Sequence, residues 1–151
     1  MMHLTNRFLP LLALLLALLT LAGAGACRAD AFQMTPGGVA YRDLRVGSGA
    51  AVRDGDVVTV HFTGWVREQG PGSAAFLDTR REGHPVKFLV GTPQALPGWN
   101  EGVRGMRAGG KRLLKIPPEL GLGARGFEDT VPPNATLVFL VELLEVRPAT
   151  H

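Results

Sequence analysis

The sequence holds one cysteine, Cys27, among 151 residues. A single thiol excludes a disulfide framework and any CxxC zinc site. Histidine is nearly as sparse. His3, His61, His84 and His151 never fall four apart, so no helical zinc pair is present. There is no G-x-S-x-G elbow, and no Cys–His order that suggests a thiol nucleophile. Charged residues make up 19% and the net charge is +3, which without a clustered basic face makes no case for nucleic acid. Glycine and proline are by contrast abundant, at 20 and 11. They show no G-X-Y period, which excludes collagen and favours a turn-rich β fold. Hydrophobic residues reach 46%, enough for a core, and the length suits one domain.

Part of that hydrophobicity is not core. Leu11 to Leu21 is Leu and Ala throughout except Thr20. This run is shorter than the ~20 residues of a membrane-spanning helix and has the length of a signal-peptide apolar segment. Arg7 and His3 supply a weak positive flank, so residues 1–26 are expected to be a signal peptide and the protein exported. Two processing readings stay open. Ala24-Gly25-Ala26 and Ala29-Asp30-Ala31 each fit ordinary cleavage. Ala24-Gly25-Ala26-Cys27 resembles a bacterial lipobox with Ala24 in place of the usual Leu, which would lipidate Cys27 and tether the domain to the cell envelope.

Residues 27–38 read as a flexible linker, and 39–148 as the folded domain. There the apolar period is mostly two. Val39 to Val46, Val57 to Val66, Phe76 to Thr79, Val86 to Val90, Lys111 to Ile116 and Ala135 to Val146 are strand candidates. Val58, Val60 and Phe62 alternate with Thr59, His61 and Thr63, so His61 is expected on the strand surface. Trp65 is expected to be half-buried at the strand end. Arg80 to His84 reads as a charged turn, with Arg80 able to pair with Asp78. Pro97 to Met106 is the one helical candidate, with Trp99, Val103 and Met106 on one face. Gly102 and Gly105 each weaken it by roughly 1 kcal/mol relative to Ala, so it should form only when packed. The expected fold is α+β: an antiparallel half-barrel sheet of five or six strands around one short helix.

Gly105 to Arg112 fits G-x-x-x-x-G-K but has Arg112 where Ser or Thr must hold magnesium. It also runs from helix to strand, the reverse of a phosphate loop, so it reads as a turn. What remains is a set of dispersed aromatics: Phe62, Phe76, Phe88, Trp99, Phe127 and Phe139. An apolar pocket can assist rotation about the amide bond before proline, whose barrier is about 18–20 kcal/mol. That reaction needs no proton transfer and no nucleophile, only a site that favours the twisted amide.

Three runs carry a resemblance. Val60-His61-Phe62-Thr63-Gly64 resembles the V-H-Y-T-G strand of FKBP-type peptidyl-prolyl cis-trans isomerases. Pro97 to Val103 resembles their G-W-x-E-G-V helix, and Val131 to Phe139 their I-P-P-N-A-T-L-V-F run. The likeness covers about residues 47–147. It implies a prolyl isomerase with Trp99 as pocket floor, Phe76, Leu96 and Phe139 as walls, and the Leu96 N–H as donor to a substrate carbonyl. Phe62, Asp78, Val86, Ala95, Leu122, Phe127 and Val131 would complete the substrate site. It implies no metal or cofactor. Expected partners are proline-containing unfolded or partly folded polypeptides, with weak binding of macrolide inhibitors and no nucleic acid. Any membrane contact would pass through a lipid anchor alone. A monomer is expected, since about ten linker residues precede the domain.

Phe62 and Leu122 stand where the family often has Tyr, and Leu77 where it has Asp. Each ligand hydrogen bond lost in this way would weaken binding by about 0.5–1.5 kcal/mol. A non-catalytic chaperone or proline-peptide binding module on the same fold is the alternative that these departures raise.

Overall fold

Ten consecutive residues, Val57–Val66, form the strand on which most of the sheet is built. The computed structural model describes residues 31–67 and 71–150. The leader expected over residues 1–26, and Cys27 with it, lie outside the described residues. The elements in chain order are β1 (Gln33–Met34), β2 (Ala40–Arg45), β3 (Val57–Val66), β4 (Leu77–Asp78), α1 (Thr79–Glu82), β5 (Val86–Leu89), α2 (Pro97–Val103), β6 (Lys111–Ile116) and β7 (Leu137–Arg147). All pairings are antiparallel, in the order β1-β2-β6-β7-β3-β4, with β5 also on β3.

The two faces of this sheet do different work. Val58, Val60 and Phe62 of β3, Leu137, Phe139, Val141 and Leu143 of β7, and Leu114 and Ile116 of β6 share the main core with Trp99 and Val103 of α2. This is the alternation the sequence predicts. On the other face Trp65, Leu113 and Val138 form a smaller cluster with Phe32, Ala75 and Leu140. Trp65 is therefore buried rather than half-buried, its indole N–H donating to the Ser73 carbonyl at 3.2 Å.

Helix α2 explains its own composition. A Cβ on Gly98 would lie 2.4 Å from Ile116 Cγ2, and one on Gly102 2.6 Å from Leu114 Cδ1. Glycine at this i, i+4 pair lets the helix press directly on β6. The helix stops at Val103, three residues short of the expected Met106, and Gly105 turns left-handed at φ 75°. Its last carbonyls are bound from outside. The buried Arg112 side chain donates through Nη1 to Gly102 O at 3.0 Å and Arg104 O at 3.2 Å, grips Asp43 through Nε at 2.7 Å and Nη2 at 3.1 Å, and stacks on Tyr41.

Other boundaries move for local reasons. Part of the expected linker folds onto the domain: Gln33–Met34 pair with β2, and Lys115 Nζ sits 3.9 Å from the Phe32 ring centroid. The sheet accordingly has seven strands, one more than the upper expectation. Phe76 to Thr79 is a strand only at Leu77–Asp78, because the Asp78 carboxylate accepts from the Arg80 and Arg81 N–H groups and starts α1. The long loop after β6 contains two 3₁₀ turns, Pro118–Leu120 and Gly123–Arg125.

Strands β4 and β5 share one edge of β3 and leave a gap opposite His61 and Phe62. The buried Thr79 hydroxyl fills it, accepting from the Phe62 N–H at 2.9 Å and lying 2.9 Å from His61 Nδ1. Thr79→Val would leave that buried N–H without an acceptor. A loss of about 1–3 kcal/mol is expected in urea denaturation.

Arg80 pairs with Glu142, not with Asp78. The Arg80 guanidinium hydrogen-bonded to Glu142, aided by the charges of Lys111 and Arg45, holds this carboxyl below the ordinary carboxylate range against a smaller opposing effect of burial. A lowered folded-state pKa stabilises the fold above the unfolded value of about 4.3, and that contribution disappears as pH falls through the folded value. Arg80→Ala should raise the Glu142 titration midpoint in carboxyl NMR and flatten the stability profile in this acid range.

Candidate functional site

Trp99 is the hub of the aromatic core. Its ring meets Phe62 at 4.5 Å, Phe139 at 5.0 Å and Phe88 at 5.8 Å between centroids, each edge to face. Phe139 also meets Phe62 at 5.8 Å and Phe76 at 5.9 Å. Such pairs contribute about 0.5–1.5 kcal/mol beyond their burial. They also fix ring directions, because moving one ring breaks contacts with others.

Above this cluster opens a cavity of about 840 Å³. Trp99, Phe62 and Phe139 lie at its base, exposed by 6%, 8% and 3%. Phe76, Leu96, Ala95, Val86, Leu122 and the half-exposed Phe127 also line it. Nine of the eleven site residues expected from the sequence are thus brought together. The other two are placed differently. Val131 is buried in the core beneath the cavity, its N–H and carbonyl closing the turn with Phe127. Asp78 turns its carboxylate into the start of α1, leaving Leu77 at the cavity wall.

The loop Gly91 to Leu96 forms one wall; Ala95 and Leu96 are expected there from the sequence, while Gly91 to Gln94 are additional. Asn100 holds it, accepting from the Gly91 N–H at 2.9 Å and donating to Thr92 O at 2.8 Å. The Leu96 carbonyl accepts from the Trp99 N–H at 2.9 Å and the Asn100 N–H at 3.2 Å, which starts α2. The Leu96 N–H itself has no acceptor among the described residues. A polar residue beside Trp99 was visible in the sequence, but its partners are set by the path of a loop without periodicity.

The chemistry of the lining is narrow. Among the described residues, Lys87 is the single titratable side chain lining the cavity, and it alternates along β5 with Phe88, which enters the core. Among the described residues, no three His, Cys, Asp or Glu side chains gather to hold a metal ion. The cavity can grip a small apolar ring and offer backbone donors from its loop wall, the Leu96 N–H among them.

Comparison with known proteins agrees with this architecture. A family model described as FKBP-type peptidyl-prolyl cis-trans isomerase matches residues 49–144. An FK506-binding protein of Neisseria meningitidis serogroup B is 46% identical over 110 residues, 73% of this chain and 97% of that protein. A probable FKBP-type peptidyl-prolyl cis-trans isomerase of Haemophilus influenzae is 38% identical over 117 residues, 78% of this chain and 46% of that protein. Among solved structures, AtFKBP13 superposes with a TM-score of 0.67 at 30% identity, covering 76% of this chain and 98% of its own. FkpA from Escherichia coli gives 0.70 at 28% identity, covering 98% of this chain and 76% of its own.

Gly64 makes room for the aromatic walls. A Cβ there would stand 2.7 Å from Phe139 Cε1 and 2.9 Å from Phe76 Cζ. Gly64→Ala should displace both rings, reducing stability by about 1–3 kcal/mol and shifting their aromatic NMR resonances together.

Proposed function

Since the chain belongs to the family of FKBP-type peptidyl-prolyl cis-trans isomerases, we propose that the Trp99 cavity is where X-Pro bonds turn. The observation that carries this reading is the combination of an aromatic floor with the unbonded Leu96 N–H at its edge. The proline ring would stack on Trp99 between Phe76 and Phe139. Each buried CH₂ of that ring contributes about 0.8 kcal/mol of binding. The Leu96 N–H would hold a substrate carbonyl and fix the peptide chain on one side of the rotating bond.

Rotation then follows from electrostatics. The planar amide is the more dipolar form, because resonance moves charge from nitrogen to oxygen. Water stabilises that dipole. A dry aromatic pocket withdraws the stabilisation and so favours the twisted state, in which resonance is broken. Each 1.4 kcal/mol of this difference gives tenfold in rate. With no carboxyl or imidazole among the described residues that line the cavity, the rate should be flat between about pH 6 and 8.

We further propose that the protein is exported and acts on proline-containing unfolded or partly folded chains of the cell envelope. The Leu11–Leu21 run and the small residues before Cys27 support this. Mass spectrometry of the mature protein distinguishes the two processing routes: a diacylated Cys27 at the N-terminus, or an unmodified chain cleaved after Ala26 or Ala31. A chain that still carries Met1 contradicts export.

Exchange NMR on X-Pro peptides tests the site. Phe76→Ala, at a partly exposed wall, should lower kcat/KM at least tenfold while the fold is kept, and Trp99→Ala should lower it further at some loss of stability, about 3–5 kcal/mol. Undiminished activity in both variants would place the reaction elsewhere. A folded wild-type protein with no acceleration would favour a binding module on this fold.

A further inference from the structure

Residues at the start of the described domain are tied to the helix that carries the pocket floor. Thr35 follows β1 and opens a tight turn. Its N–H donates to Val39 O at 2.8 Å, the Gly38 N–H donates to Thr35 O at 3.0 Å, and the Val39 N–H donates to the Thr35 hydroxyl at 3.0 Å. That hydroxyl donates outward to Glu101 Oε2 at 2.6 Å, and the Gly37 N–H donates to the same oxygen at 3.0 Å. The turn is shaped to the carboxylate, since any Cβ on Gly37 would collide with Glu101 Oε1 and Oε2. Gly38, at φ 103°, completes the reversal into β2.

Glu101 does not line the cavity. It stands two residues after Trp99, about 200° further round the helix, and so on the side away from the indole. A carboxylate held there controls how α2 can turn about its axis. The helix is short, has no side-chain cap at its start, and meets β6 through glycines. Trp99, Asn100 and the Arg112 contact at its end hold its inner side, and Glu101 adds a restraint from the opposite side. Those glycines permit close approach but have no side chains to interlock with the strand.

We propose that Glu101 is a positioning residue for the isomerisation. By binding the Thr35–Gly38 turn it fixes the rotation of α2, and with it the tilt of the Trp99 indole and the direction of the Leu96 N–H. The hairpin of β1 and β2 is then a strap that belongs to the active unit. The inference rests on the Trp99 cavity being the isomerase site.

The test uses Glu101→Ala, Glu101→Gln and Thr35→Val in the full chain, with kcat and KM from exchange NMR on an X-Pro peptide. Measurements are made where circular dichroism shows each variant folded, and the Trp99 indole N–H resonance is followed in parallel. Glu101→Ala should lower kcat/KM by about three- to tenfold and move the indole resonance, a coupling of the size seen between residues of one network. Glu101→Gln, whose amide oxygen still accepts, should recover most of the loss. Thr35→Val should reproduce part of it from a residue outside the cavity, and the two losses should not add. Unchanged kcat/KM and an unmoved indole in folded Glu101→Ala overturn the proposal, as do additive losses. If Glu101→Ala does not fold, an unaffected Thr35→Val overturns it alone. Wild-type inactivity would instead refute the assignment of the cavity.

Discussion

A seven-residue helix with two glycines cannot persist by itself in water, yet this one carries the floor of the pocket. Its existence depends on close contact with β6. Gly98 and Gly102 bring the helix backbone against Ile116 and Leu114, and Arg112 from the same strand binds the carbonyls at its end. That contact sets the depth at which Trp99 meets Phe62 and Phe139. Three aromatic edges then lock the indole in place. The cavity above it is what remains when a half-wrapped sheet closes on a helix too short to fill it.

The strands were legible because their period is visible. Val57–Val66 and Lys111–Ile116 have the predicted bounds, and the inward row of β7 is the one read from alternation. The elements that moved are those decided by a single side chain. Asp78 ends β4 by capping α1, a preference that competes locally with the strand pattern. Helix α2 ends early because Arg104 turns extended, at ψ 135°, with Gly105 completing the tight turn at positive φ. Gln33–Met34 joined the sheet although two residues carry no period at all, and the Thr-Pro-Gly-Gly run before β2 was the one sign of a hairpin there. Most of the cavity was legible through the family's motifs. The Gly91–Gln94 part of the loop held by Asn100 was not, since it has no periodicity and its shape comes from two side-chain hydrogen bonds to the backbone of Gly91 and Thr92.

Substitutions relative to the family's usual pattern now have a physical setting. Leu77 puts an apolar side chain at the wall where the family often has Asp, and the neighbouring Asp78 turns toward α1, its Oδ1 accepting from both the Arg80 and Arg81 N–H groups. Phe62 presents an edge to Trp99, a packing role in which no hydroxyl is needed. Side chains at these two positions therefore offer a polar ligand no hydrogen bond. A reaction that depends on excluding water from an amide loses little by this, whereas an inhibitor recognised through its hydroxyls and carbonyls loses more.

The most direct test is an NMR titration of the folded protein with a short X-Pro peptide, following cis–trans exchange of the peptide and the resonances of the protein in one sample. The account predicts accelerated exchange together with the largest shifts at the Leu96 amide and the Trp99 indole. Accelerated exchange with those two resonances unmoved, or saturation of both without acceleration, would contradict it.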